Sequence, residues 1–345
     1  MFHFSTRNAL LPSAAMTILL GLSACGGGGG SDPAPADAQF NGSGAAAGAA
    51  AGTAAGTSGA AAGAAAGTVT TTTTALPTKA LGLTDQRASA TPGTVQLVGF
   101  DIATPNTLTS NVRITTAAGV GTAAFGAGEW IYGMDFRPAD GLLWGLTNKG
   151  RLYTIDPTSG VATFKIALAA DPADTTAPFA GLEPAVTSVS VDFNPVVDRM
   201  RVVGFGGQNL RINVGTGFTI TDTDVPAFAI PAVAYANNFA GATATILHGI
   251  DSSTDNKITQ TPPNDGVIVQ GGPLGLDISE VVGMDIAGSD NQLVLGALRV
   301  GTTGPHSLYN INLSTGAAVL RPATTGTAVI GGPLGLPLVD IAIRP

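Results

Sequence analysis

An all-β fold, a five-bladed β-propeller closed by its own two ends, is what this sequence predicts, and three patterns predict it. First, an Asp or Asn followed by Phe or Ile ends a short apolar run five times. The copies are Gly133-Met134-Asp135-Phe136, Ser190-Val191-Asp192-Phe193, Ala236-Asn237-Asn238-Phe239, Gly283-Met284-Asp285-Ile286 and Leu338-Val339-Asp340-Ile341. They recur about every 50 residues, and self-similarity at that period marks a propeller or a solenoid. Short β-runs separated by Gly turns select the propeller. Second, a run ending in Asp or Asn enters a turn at Leu152–Asp156, Leu308–Asn312, Asn209–Asn213 and Leu247–Asp251, with a more divergent copy at Leu97–Asp101. The side chain of such an Asp or Asn caps the turn through its own backbone, and the Gly that follows at 160, 217 and 316 supplies positive φ. Third, the two ends are complementary fragments. Lys79–Ile114 carries material for the second to fourth strands of a blade, and Leu338–Ile343 carries the first alone. Each fragment alone has an exposed edge; joined, they complete one blade.

Taken along the chain, the clearest unit runs from Trp130 to Ile166. Its strands read Ile131–Phe136, Leu142–Leu146, Arg151–Ile155 and Val161–Ile166. Pro138-Ala139-Asp140-Gly141, Asn148-Lys149-Gly150 and Pro157–Gly160 turn the chain between them. The unit near Ala232–Val269 is the least clear, because its second strand is weak.

Residues 1–24 read as a secretion signal. Arg7 supplies the charge, and the apolar run Ala9–Leu22, broken by Pro12, is too short for a membrane span. It ends in Leu22-Ser23-Ala24-Cys25, which resembles the lipobox of bacterial lipoproteins. That resemblance implies cleavage before Cys25 and a diacylglycerol on its sulfur, with Gly26 in the following position pointing to the outer membrane, facing periplasm or cell surface. Cys25 is the only cysteine, so no disulfide supports the fold. Residues 25–78 collapse to Gly, Ala, Thr, Ser and Pro with almost no charge, which is the composition of a disordered linker. A coil of about 50 residues spans roughly 40 Å, enough to hold residues 79–345 away from a bilayer.

The run Asp192-Phe193-Asn194-Pro195-Val196-Val197-Asp198-Arg199-Met200-Arg201-Val202-Val203, with Gly207–Arg211, resembles the bacterial domain-of-unknown-function 4394 family. Gly133–Pro138, Gly150–Asp156 and Tyr235–Ala242 carry the same resemblance, which covers most of Lys79 to Pro345. The family implies a propeller-like domain and brings no established activity.

Composition excludes several chemistries. Beyond the signal only His248 and His306 remain, too few for a three-histidine zinc site. A lipidated Cys25 cannot serve as a nucleophile. His248 falls on the repeat position of Tyr153 and Tyr309, a core position, and His306 falls in the turn Gly304–Ser307, exposed to solvent. A net charge of −8 argues against nucleic acid. The Glu residues of the domain are Glu129, Glu183 and Glu280, and no carboxylate pair stands out for glycan hydrolysis.

Two clusters are candidate sites. Asp135, Asp192, Asn238, Asp285 and Asp340 recur at one blade position near the channel, as oxygen ligands for Ca²⁺ or as caps for strand ends. Asn194, Asp198, Arg199, Arg201, Asn209 and Arg211 concentrate charge in one unit. They would grip a carboxylate or sulfate, or form an interblade salt-bridge network that holds Asp198 and Asp192. The chain therefore reads as a lipid-anchored envelope protein with a non-enzymatic binding or scaffolding propeller, whose ligand is a glycan or a protein. The alternatives are a glycan hydrolase or lyase using carboxylates at the channel mouth, and a purely structural surface protein. No catalytic residue and no resident cofactor is expected, with Ca²⁺ as the one candidate ion.

Overall fold

The computed structural model describes residues 76–85, 95–116, 124–183, 189–204, 206–226, 229–280 and 282–345. Cys25, the signal and most of the linker lie outside these residues. Among the described residues there is no α-helix, and one 3-10 turn covers Pro263–Asp265. Everything else regular is β.

The chain folds as five small sheets around a centre, a five-bladed β-propeller. The closing blade takes β1 (Lys79–Thr84), β2 (Gln96–Asp101) and β3 (Leu108–Arg113) from one end of the domain. Its innermost strand is β22 (Leu338–Ala342), antiparallel to β1 with Leu83 opposite Asp340 and Gly82 opposite Ile341. After a short strand β4 (Thr115–Thr116), the first blade is β5 (Ile131–Phe136), β6 (Leu143–Thr147), β7 (Arg151–Ile155) and β8 (Val161–Ala167). After β9 (Ala169–Ala170), the second is β10 (Val189–Asn194), β11 (Arg199–Gly204), β12 (Asn209–Ile212) and β13 (Phe218–Thr221). The third is β14 (Ala232–Tyr235), β15 (Leu247–Asp251), β16 (Asn256–Gln260) and β17 (Ile268–Pro273). The fourth is β18 (Gly283–Ala287), β19 (Leu293–Arg299), β20 (His306–Ile311) and β21 (Ala318–Leu320). The innermost strands β5, β10, β14, β18 and β22 touch in that cyclic order, so the ring is closed.

The core is divided into five layers, one at each blade-to-blade seam. Trp144, Leu146 and Leu152 of the first blade, for example, meet Phe193, Met200 and Leu210 of the second. A sheet covered on both faces leaves neither face to solvent, so β10 is buried at every position although its residues alternate apolar and polar. The polar Ser190, Asp192 and Asn194 of β10 are therefore buried along with Val189, Val191 and Phe193.

The turn glycines have a second reason beyond φ. Gly160, Gly217 and Gly316 have φ of 73°, 74° and 85°. A Cβ at each would strike the backbone carbonyl of Arg113, Ala167 or Gly272, on the outgoing chain of the preceding blade. The same outgoing chain adds β4 to β8 and β9 to β13 in parallel, which covers two outer edges.

One copy of the repeat is displaced. Leu247–Asp251 aligns in sequence with the third strands β7, β12 and β20, but it forms β15, the second strand of its blade. The turn after it, with Asp255 at φ 54°, closes the β15–β16 hairpin instead. His248 consequently pairs with Ala234 and is not the counterpart of Tyr153. His306 is also displaced from its expectation: it opens β20 at 1 % exposure, its Nδ1 lying 3.0 Å from the Leu336 carbonyl.

Candidate functional site

Four of the five predicted ring residues meet at the centre. Asp135, Asp192, Asp285 and Asp340 sit on β5, β10, β18 and β22, each buried. Each carboxylate accepts a backbone N–H from the next blade around the ring. Phe193 donates to Asp135 at 2.9 Å, Tyr235 to Asp192 at 3.0 Å, Ile343 to Asp285 at 2.5 Å and Met134 to Asp340 at 2.9 Å. Three also accept from the residue that follows them: Phe136, Ile286 and Ile341. The motif is thus an interblade clamp, with the second oxygen tying down its own strand.

Asn238 makes no such clamp. It lies beyond β14, which ends at Tyr235. Asp192 holds the N–H of Tyr235, the last residue of β14. β14 carries no carboxylate to continue the clamp, and the third and fourth blades are joined differently. Asn291 accepts the Asn237 N–H at 2.6 Å and returns its amide to the Asn237 side chain at 2.9 Å. Both asparagines have φ of 56°. Asn238 itself is fully buried with neither side-chain polar atom partnered.

Burial and mutual repulsion push the carboxyls of Asp135, Asp192 and Asp340 well above the usual range; for Asp340 the backbone N–H of Met134 opposes this. Burial raises Asp285 to about 7. Carboxylate oxygens of Asp135, Asp192 and Asp285 lie within 4.8 Å of one another. Three buried charges cannot share such a space, so the ring carries protons at neutral pH.

The charged cluster of the second blade resolves into separate pieces. Arg201, 1 % exposed, donates to Asp222 at 2.6 Å, Asn209 at 2.9 Å, Asn264 at 2.6 Å and the Tyr235 hydroxyl at 3.2 Å. Arg211 joins it on Asp222 at 2.7 and 2.8 Å. Asp198 instead takes both nitrogens of Arg137 from the first blade, at 2.8 and 2.5 Å. Asn194 and Arg199 fasten the turn between them, Asn194 accepting from Val196 and Val197, and Arg199 donating to the Val197 and Asp198 carbonyls. The interblade network is real, but its acids are Asp222 and, through Arg137, Asp198; Asp192 belongs to the ring. Asp222, Asn264 and Arg137 lie too far along the chain for any spacing rule to have found them.

Other titratable groups are likewise engaged. Burial pushes the Glu129 carboxyl up, and hydrogen bonds from Arg151, Gly126 and Thr147 more than offset it. Burial drives His248 down to about 3 and keeps it neutral. Glu183 and Glu280 are exposed.

Two adjoining cavities of about 440 and 500 Å³ open beside the seam between closing and first blades. They share Pro157 and Arg344. Lys79, Leu81 and Phe136 line one; Leu142, Thr154, Asp156, Ser159 and Thr163 line the other. The Arg344 guanidinium lies 5.1 Å above the Phe136 ring.

The family model described as a domain of unknown function, DUF4394, matches residues 96–331. The chain belongs to this family. No curated protein matches it. Among solved structures it is similar to a candidate 6-phosphogluconolactonase from Bacteroides uniformis, at 10% identity and TM-score 0.38, covering 73% of this chain and 84% of that one. It is also similar to BamB from Moraxella catarrhalis, at 12% identity and TM-score 0.27, covering 71% and 75%. Neither likeness bears on chemistry.

Proposed function

We propose that this DUF4394 protein is a non-enzymatic binding propeller, held at the bacterial envelope by a lipid on Cys25. One observation carries the reading. The carboxylates at the channel, where a propeller hydrolase would keep its acid and base, are occupied as acceptors for the backbone of the next blade. A group that must hold a blade in register is poorly placed to exchange protons with a substrate. The two cavities at the seam support a binding role, since Asp156 is the one acidic side chain that lines them and glycan hydrolysis calls for two. The lipid anchor rests on the position of the sole cysteine after Leu22-Ser23-Ala24.

Two measurements test this. The full-length protein incubated with envelope polysaccharides should release no new reducing ends; release that disappears on Asp→Asn substitution at the ring would favour a hydrolase. A Cys25→Ser variant should leave the membrane fraction for the soluble fraction or persist as precursor. Unchanged detergent fractionation would remove the anchor from the reading.

A further inference from the structure

Resting on the binding reading, we propose that the double cavity flanking Arg344 is a subsite for an acidic saccharide, a sugar chain bearing a carboxylate or sulfate. Arg344 and Lys79 are exposed cations, and neither takes a side-chain hydrogen bond or ion pair among the described residues. For Arg344 this contrasts with Arg137, Arg151, Arg201 and Arg211, which all pair with acids in a chain of net charge −8. The Phe136 face beneath Arg344 restrains the guanidinium plane without consuming its N–H donors. An oriented guanidinium with free donors matches the two oxygens of a carboxylate or sulfate. The neighbouring cavity has the opposite character. Thr154, Ser159 and Thr163 offer hydroxyls, and Asp156 offers an acceptor kept ionised by the N–H groups of Ser159 and Thr158. Asp156 attracts sugar hydroxyls and repels a second anion, so the ligand's acid group belongs on the Arg344–Lys79 side. Pro157, on the border of both cavities, and Leu142, 46 % exposed, supply apolar surface for the C–H face of a sugar ring. Each volume falls within the usual range for a small-ligand site. The ligand is bound without any bond being made or broken.

The test is calorimetric titration of the full-length, detergent-solubilised protein with tetragalacturonate, a sulfated chondroitin tetrasaccharide and neutral maltotetraose. One or both acidic probes should bind, with affinity that falls as salt rises, and maltotetraose should bind at least about tenfold more weakly. Which acidic probe binds separates carboxylate from sulfate recognition. Arg344→Gln, at an exposed position that should not disturb folding, should weaken the acidic probe about tenfold or more, and Lys79→Gln several-fold. Lys149→Gln, an exposed cation outside both cavities, should leave it unchanged and so control for net charge. Equal affinity in wild type and Arg344→Gln, equal binding of maltotetraose, or no binding of either acidic probe overturns the proposal and leaves the binding reading standing. Cleavage of a probe that Asp156→Asn abolishes would instead keep the ligand and overturn the non-enzymatic reading.

Discussion

Replacing Asp285 by Asn should change stability by an amount that reverses sign with pH. The Asp285 carboxyl is buried and clamps Ile343, and burial raises it from 3.8 to about 7. A raised folded-state value means that folding takes up a proton. The stability it contributes is fully present below about pH 4 and is lost as pH rises through about 7. From about pH 3.5 to 8, Asp285 alone should lose roughly three units' worth, about 4 kcal/mol at about 1.36 kcal/mol per unit. Asn keeps an acceptor oxygen for Ile343 and cannot ionise. At about pH 3.5, where the carboxyl is neutral in both states, the substitution should cost about 1 kcal/mol, the usual worth of one perturbed hydrogen bond. By about pH 8 it should be stabilising by about 3 kcal/mol, the difference of those two figures. His248, held neutral at about 3, contributes stability that is lost as pH falls below about 6.5. That effect is common to both proteins and cancels in the difference. Urea unfolding of wild type and variant at both pH values measures it. Parallel stability profiles would refute the account of the ring as a proton-holding clamp. A gain from added Ca²⁺ in wild type that Asp285→Asn abolishes would make the carboxylates ion ligands instead.

Three other outcomes follow from the same geometry. Gly283→Ala should destabilise by several kcal/mol in thermal melts, because its Cβ would lie 2.7 and 2.8 Å from the Ile341 and Asp340 backbone of β22, which cannot give way. Arg201→Leu should cost about 1–3 kcal/mol in denaturant unfolding by leaving the buried Asn209 oxygen without its donor, while Arg211 still pairs Asp222, and an unchanged stability would show that the network contributes little. Deleting residues 338–345 removes β22, opens the ring and exposes the edge of β1, so cooperative unfolding should vanish from calorimetric scans; a sharp transition in that variant would contradict closure through β22.

What could be read without the structure were features written in local sequence. The spacing of the Asp-Phe and Asp-Ile motifs, the turn glycines and the complementary ends are each properties of a few neighbouring residues, and they sufficed for five blades and for closure through Leu338–Ile343. What required the tertiary structure was anything set by register or by partners across a seam. Asn238 matched the motif by composition but falls past the end of β14 and makes no clamp across the seam. Leu247–Asp251 looked like a third strand and is a second, because strands of one blade share a pleated, doubly covered environment and therefore similar residues. Arg201 found Asp222, and Asp198 found Arg137, by blade packing, which no spacing along the chain encodes. The two cavities beside Arg344 exist only because closure brings the last strand against the first blade, joining in space residues as far apart in sequence as Lys79, Pro157 and Arg344. Local chemistry chose the strands and turns; closure of the ring decided which side chains meet.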